Sequence, residues 1–183
     1  MALAFSIGHS TRTLDALLEL LHAHGVLQLA DVRSFPASRR QPHFARAHLE
    51  MALPEAGIAY RWLPALGGRR KLRTGSSPNT GWRVAGFRAY ADHMATAEFE
   101  AGLGELESWA RARPTAFMCA EANYRQCHRQ LLADALLVRG WDVLHIESST
   151  RARSHVLPGF AHVGEGGKIT YPGDPELPLE FAS

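Results

Sequence analysis

Cys119, Glu121, Cys127, His128 and Arg129 lie in one short polar stretch, which also holds both cysteines of the chain. Two thiols, a carboxylate, an imidazole and a guanidinium in one loop can support several chemistries. A thiolate at a helix start can act as a nucleophile, because helix amides and nearby cations lower its pKa. Cys127, beside His128 and Arg129, is the better placed thiol. Glu121 opposes the lowering, but the cations outnumber it. Cys119 closes an apolar run and should react less; its bland reading is a small buried hydrophobe. Cysteine and histidine also ligate zinc. Cys119, Cys127 and His128, with an outside ligand such as His9, form a conceivable zinc set, although the gap between the cysteines is not a familiar zinc spacing. No cofactor is expected.

The elements around the loop set its position. Thr115–Cys119 is a short apolar run after Pro114, which suits a buried strand. Leu132, Ala135 and Leu136 follow at helical spacing until Gly140, and Val143–Ile146 is a second buried strand. Earlier in the chain, Leu3–Ile7, Val26–Val32 and Ile58–Trp62 read as strands. Helices are expected over 14–21 (capped by Thr11 or Thr13 and stopped by Gly25), 47–56, 84–94 and 97–112. Strands alternating with helices predict α/β: one three-layer domain over 1–183, with a mostly parallel, Rossmann-like sheet flanked by helices. Residues 67–82 should be an exposed, mobile loop. Residues 148–183 should form an irregular tail, with Lys168–Tyr171 as an edge strand.

In a parallel sheet the carboxyl ends of the strands share one edge, where open α/β sheets bind ligands. Three polar clusters follow predicted strands: His9-Ser10-Thr11, Asp31-Val32-Arg33-Ser34, and Cys119 through Arg129. They should converge on one crevice. The alternative is that Asp31 and Arg33 only pair and cap loops. Ser38, Arg39 and Arg69 are further candidates for holding an anionic substrate. Arginines 39, 40 and 46 fall near Phe35, His43 and Phe44. Arginines 69, 70 and 73 fall near Trp62 and Trp82. Such interleaving suits nucleotides or single-stranded nucleic acid, and equally a solvated arginine face.

The net charge of +2 excludes wholesale polyanion binding. Only Lys71 and Lys168 are lysines, so arginine carries the positive charge, through codon bias or through a need for guanidinium forks. No apolar stretch reaches the roughly 20 residues of a membrane span. No secretory signal precedes the first strand, so a reducing cytoplasm and free thiols are expected.

Cys119 and Arg125 are spaced as in thiolate phosphatases and rhodanese-like domains, and an earlier Asp-Val-Arg strand adds to the rhodanese likeness. Against it, the loop holds no glycine and Glu121 would repel a phosphate. Cys119-Ala-Glu121 resembles the Cys-Ala-Glu of zinc cytidine deaminases, which also need a later Pro-Cys-x-x-Cys that this chain lacks. The closer resemblance is to the domain-of-unknown-function-488 family. It rests on Ser6-Ile-Gly-His-Ser-Thr, Asp31-Val-Arg-Ser-Phe-Pro-Ala-Ser-Arg, Leu63-Pro-Ala-Leu-Gly-Gly, Gly86-Phe-Arg-Ala-Tyr-Ala-Asp, Met118-Cys-Ala-Glu and Cys127-His-Arg. The resemblance implies a small cytoplasmic α/β protein and supplies no reaction. The functional expectation is an enzyme acting on an anionic substrate, a nucleotide or nucleic acid, as a thiol-dependent hydrolase or transferase. The alternatives are a nucleic-acid or nucleotide binding module, or a metal-binding protein using Cys119, Cys127 and His128.

Overall fold

The computed structural model describes residues 2–37, 40–72 and 75–173. A six-stranded sheet forms the middle layer. Its strands are β1 (Ala2–Gly8), β2 (Gln28–Asp31), β3 (Ala59–Trp62), β4 (Thr115–Cys119), β5 (Trp141–Ser148) and β6 (Arg151–Ser154), in the order β3-β2-β4-β1-β5-β6. All neighbours are parallel except β5 and β6. Five helices cover the sheet: α1 (Leu14–Ala23), α2 (Arg46–Glu55), α3 (Ala85–His93), α4 (Ala97–Ala110) and α5 (Arg129–Val138). This is the expected three-layer α/β fold.

Side-chain alternation builds two cores. Phe5, Ile7, Leu29, Ala116 and Met118 point to one face, under Leu17 and Leu21 of α1 and Leu49 and Leu53 of α2. Ala4, Ala30, Phe117, Trp141 and Val143 point to the other, under α3, α4 and α5. Burial on both faces is why the central strands read as continuous apolar runs. Thr13, rather than Thr11, caps α1, accepting from the Ala16 amide at 3.2 Å. Thr96 caps α4 by accepting from the Phe99 amide. Pro54 sits in the last turn of α2, where it leaves the helix intact. No described helix is long and apolar enough to cross a membrane.

Two segments differ from expectation. The stretch after Ser148 was expected to be irregular, yet Arg151–Ser154 turns back as β6 and pairs antiparallel with β5. Ile169–Thr170 (β8) is not an edge of the main sheet; it pairs with His162–Val163 (β7) in a separate two-stranded sheet. Tyr171 then plugs into the core beside Trp82 and is fully buried. Residues 174–183 lie outside the described residues. In the 67–82 loop, Arg69, Lys71, Leu72 and residues 75–76 are exposed. The loop is fastened by Arg70, which donates to the carbonyls of Pro64, Ala65 and Gly67, and by buried Asn79, which donates to Asp92 at 2.8 Å.

The topology fixes where a crevice must open. The chain leaves β1 and β2 for helices on one face and leaves β4 for α5 on the other. At the carboxyl end of β4, loops therefore part to opposite sides, toward β2 on one flank and toward β1 and β5 on the other. Ligands bind at such switch points in open sheets.

Candidate functional site: two clusters flanking the end of the fourth strand

All three sequence clusters reach the same edge of the sheet, but they do not share one open cavity. Asp31 and Arg33 form a closed network on the α1/α2 face. Arg33 grips Asp31 with Nε at 2.8 Å and Nη2 at 2.5 Å. It also donates to the Phe44 carbonyl and, through Nη1, to His9 Nε2 at 3.2 Å. Tyr60 donates its hydroxyl to Asp31 Oδ2 at 2.7 Å, and its own pKa rises through burial and then the Asp31 charge. His9 donates from Nδ1 to the Ser10 carbonyl and stacks on Phe44 at 4.2 Å. Burial holds His9 neutral, with a pKa lowered to about 4. A buried charge must be paired, and this pair spends most of its hydrogen-bonding capacity inside the protein.

On the β2 flank of β4 lies the cysteine cluster. His128 directs Nε2 to the Val32 carbonyl at 3.0 Å, so that nitrogen carries the proton. Nδ1 then presents a lone pair, 3.6 Å from Cys127 Sγ and 3.8 Å from Cys119 Sγ. A hydrogen bond from Cys119 lowers the pKa of Cys127 well below the usual thiol range and raises that of Cys119. Cys127 is thus the more acidic thiol, but it is only 3% exposed. Because the His128 side chain is committed here, it makes no cap hydrogen bond to the α5 amides. Gly68 is packed flat against the imidazole: a Cβ there would sit 2.3 Å from Nδ1.

On the β1 flank the arrangement is open. A cavity of about 460 Å³ is lined by Arg12, Asn123, Tyr124, Arg125, Arg129, His145, Glu147 and Arg153, among others. Arg129 is 1% exposed. Its Nη1 donates to Ser6 Oγ at 2.9 Å and its Nη2 to the Glu121 carbonyl, while its Nε has no partner. Arg12 donates to the Gly8 carbonyl, and its pKa is lowered by burial and then by the charge of Arg129. Among the described residues, Arg12, Arg125 and Arg129 make no ion pair, whereas Arg153 pairs with Glu147 at 2.7 Å. Two guanidiniums that raise each other's energy, one with a buried unpartnered N–H, are suited to an anion between them.

His145 forms the deep wall of this cavity and is 2% exposed. A buried chain of hydrogen bonds backs it. Asp134 accepts from Tyr171 Oη and from His155 Nε2, each at 2.7 Å. His155 Nδ1 faces His145 Nε2 at 3.0 Å. His145 Nδ1 has no partner. Tyr124 stacks on the His145 ring, 3.5 Å away and 4° from parallel. Burial, then His155 and the arginines, lower the pKa of His145 to about 2.

The sequence profile of the family described as domain of unknown function DUF488 matches residues 13–136. The chain belongs to this family. No curated protein and no solved structure matches it. In this DUF488 chain the matched span holds Asp31, Arg33, the cysteine cluster, Arg129 and Asp134, while His9, Arg12, His145, His155 and Tyr171 fall outside it.

The remaining candidates are scattered. The Glu121 side chain is exposed, and only its carbonyl takes part, under Arg129. Ser10 adopts a left-handed backbone (φ 50°) and bonds to the Ala120 carbonyl, while Thr11 is exposed. Arg69 is exposed above Phe35 at 5.9 Å. Ser38 and Arg39 lie outside the described residues. His145 and Asp134 were missed as site residues. Their signal was a histidine inside Val143-Leu-His-Ile and an aspartate inside Leu131-Leu-Ala-Asp-Ala-Leu-Leu, each a polar residue in an apolar run.

Proposed function

We propose that the protein is an enzyme acting on a phosphate-bearing small molecule of the nucleotide class, held in the arginine-lined cavity. His145 serves as the proton acceptor. The observation that carries this reading is the cavity wall, where Arg12, Arg125 and Arg129 make no ion pair among the described residues and buried Arg129 keeps one unpartnered nitrogen. Few buried polar groups lack partners, and each needs an explanation. A bound anion supplies the counter-charge for these arginines. The cavity volume falls within the range of small-molecule sites.

The arginines also tie binding to chemistry. Arg129, Arg125 and Arg153 help hold His145 unprotonated. An anion neutralises that field, so His145 becomes a stronger base only when substrate is present. The Asp134–His155 pair behind it fixes the orientation of the ring.

The test is calorimetric titration with inorganic phosphate and with nucleoside mono-, di- and triphosphates, alongside a screen for phosphate or base release. The Arg12→Ala change should weaken the best ligand by at least about tenfold, the loss expected from one charge-assisted contact. The His145→Ala change should abolish turnover and leave binding within a few fold. Absence of binding by every anion tried would overturn the reading. A second reading, a nucleic-acid binding module without chemistry, draws on exposed Arg125 and Arg153 of the cavity lining. It requires that single-stranded oligonucleotides bind with a steep salt dependence and that His145→Ala changes nothing.

A further inference from the structure

The cysteine cluster shares no residue with the cavity wall and has its own chemistry. We propose that Cys119, Cys127 and His128 bind a thiophilic divalent ion of the zinc class, with the fourth coordination position left to a small exogenous ligand.

The donor geometry carries this. A tetrahedral zinc with sulfur at about 2.3 Å and nitrogen at about 2.0 Å has sulfur-to-nitrogen edges of about 3.6 Å. The two edges present are 3.6 Å and 3.8 Å, and all three donor atoms lie within 4.8 Å of one another. Both sulfur-to-nitrogen edges therefore already match a tetrahedral site. The imidazole is already in the ligating tautomer, because its other nitrogen donates to the Val32 carbonyl; ligating histidines are commonly oriented by such a bond. The donor set is soft, and two thiolates neutralise a divalent charge in a buried place. Among the described residues no fourth histidine, cysteine or carboxylate joins the group. Three protein ligands and one open position is the arrangement of catalytic rather than structural zinc.

The sequence spacing had argued against zinc, since the seven residues between the cysteines match no familiar finger or ribbon. The fold removes that objection. Cys119 ends β4, and Cys127 and His128 lead into α5, so the intervening loop only has to return to the same strand end. Gly68, packed against the imidazole edge, closes the cluster from the 67–82 loop.

The decisive experiment uses the full chain, reduced and stripped with a chelator, then titrated with cobalt(II). The expected result is one ion per chain, with a thiolate-to-cobalt charge-transfer band and tetrahedral ligand-field bands that zinc abolishes. Zinc should release protons as the thiols ionise and should protect both cysteines from alkylation. The Cys127→Ser and His128→Ala changes should weaken binding by at least about tenfold. The wild-type spectrum alone suffices if either variant does not fold. Cobalt binding without a thiolate band would overturn the proposal, as would equal alkylation rates with and without zinc. So would a Cys119–Cys127 disulfide that forms in air at the same rate with zinc present. Phosphate and nucleotide titrations of the stripped chain read the arginine cavity separately, so the two proposals fail independently.

Discussion

Three glycines decide how closely groups can approach at the sheet edge. At Gly8, where β1 ends, a Cβ would lie 1.8 Å from the Glu121 carbonyl and 2.9 Å from the Arg129 guanidinium. The first of these is backbone, and it also accepts from Arg129, so it cannot yield cheaply. At Gly67 a Cβ would meet Ser34 Oγ at 2.5 Å, and at Gly68 it would meet the His128 ring. The Leu63-Pro-Ala-Leu-Gly-Gly and Ser6-Ile-Gly-His segments are therefore spatial requirements of the site, not loose loop composition. Gly104, inside α4, has nothing within 4 Å of its Cβ position. Thermal unfolding should separate the two kinds. The Gly8→Ala change should cost about 1–3 kcal/mol as overpacking against backbone. The Gly104→Ala change should raise stability by up to about 1 kcal/mol, because it relieves a helical glycine in open space. Equal effects at the two positions would show that the contact at Gly8 is not tight.

At the scale of elements, legibility followed burial. Strands β1, β2 and β4 are covered on both faces, so each left an apolar run that can be read directly. Strand β6 left none: Arg151-Ala-Arg-Ser is polar and largely exposed, held by its ladder to β5 and by Arg151 and Arg153 on Glu147. No local pattern marks such a strand. The same segment brings His155 to Asp134, and the chain beyond it brings Tyr171 to the same carboxylate. Asp134 is fully buried, its pKa raised by that burial, and both its oxygens accept hydrogen bonds from this region. The region past Ser148 is thus part of the buried hydrogen-bond network behind the cavity. The Tyr171→Phe change keeps the ring against Trp82 but removes one donor from Asp134. It should cost about 1–3 kcal/mol in denaturant unfolding. A loss below about 0.5 kcal/mol would mean that water replaces the hydroxyl and that this part of the network is not sealed.

Over the whole molecule, the three polar clusters could be brought to one sheet edge from the sequence because parallel connectivity forces strand ends together. The sequence did not separate the arginine cavity from the cysteine cluster, because the face taken by each loop depends on which way its helix turns. That is a property of strand order, which no residue in the loop encodes. The arrangement also leaves several histidines neutral inside the protein, which sets the response to acid. Burial lowers the pKa of His9 to about 4 and that of His145 to about 2, and lowers that of His93 as well. His9 faces Arg33, Asp31 and His43; His145 faces His155, Arg125, Arg129 and Arg153. In the unfolded chain each histidine titrates near 6.5. Below that pH the unfolded state takes up protons that the native state refuses, so folding stability falls as pH falls. The stability these groups contribute is complete above about pH 6.5 and drains away toward their folded values. The loss per histidine has an upper limit of about 1.4 kcal/mol for each pH unit inside that window. Urea unfolding at pH 7.5 and pH 5.0 should show a lower midpoint at pH 5.0 with an unchanged slope. The His9→Gln change should flatten part of that dependence while lowering stability at pH 7.5, since glutamine can still bond to Arg33 but has no proton to gain. A midpoint that holds or rises toward pH 5.0 would mean that these rings are already protonated in the native protein, and His145 could not then act as the proton acceptor of the cavity.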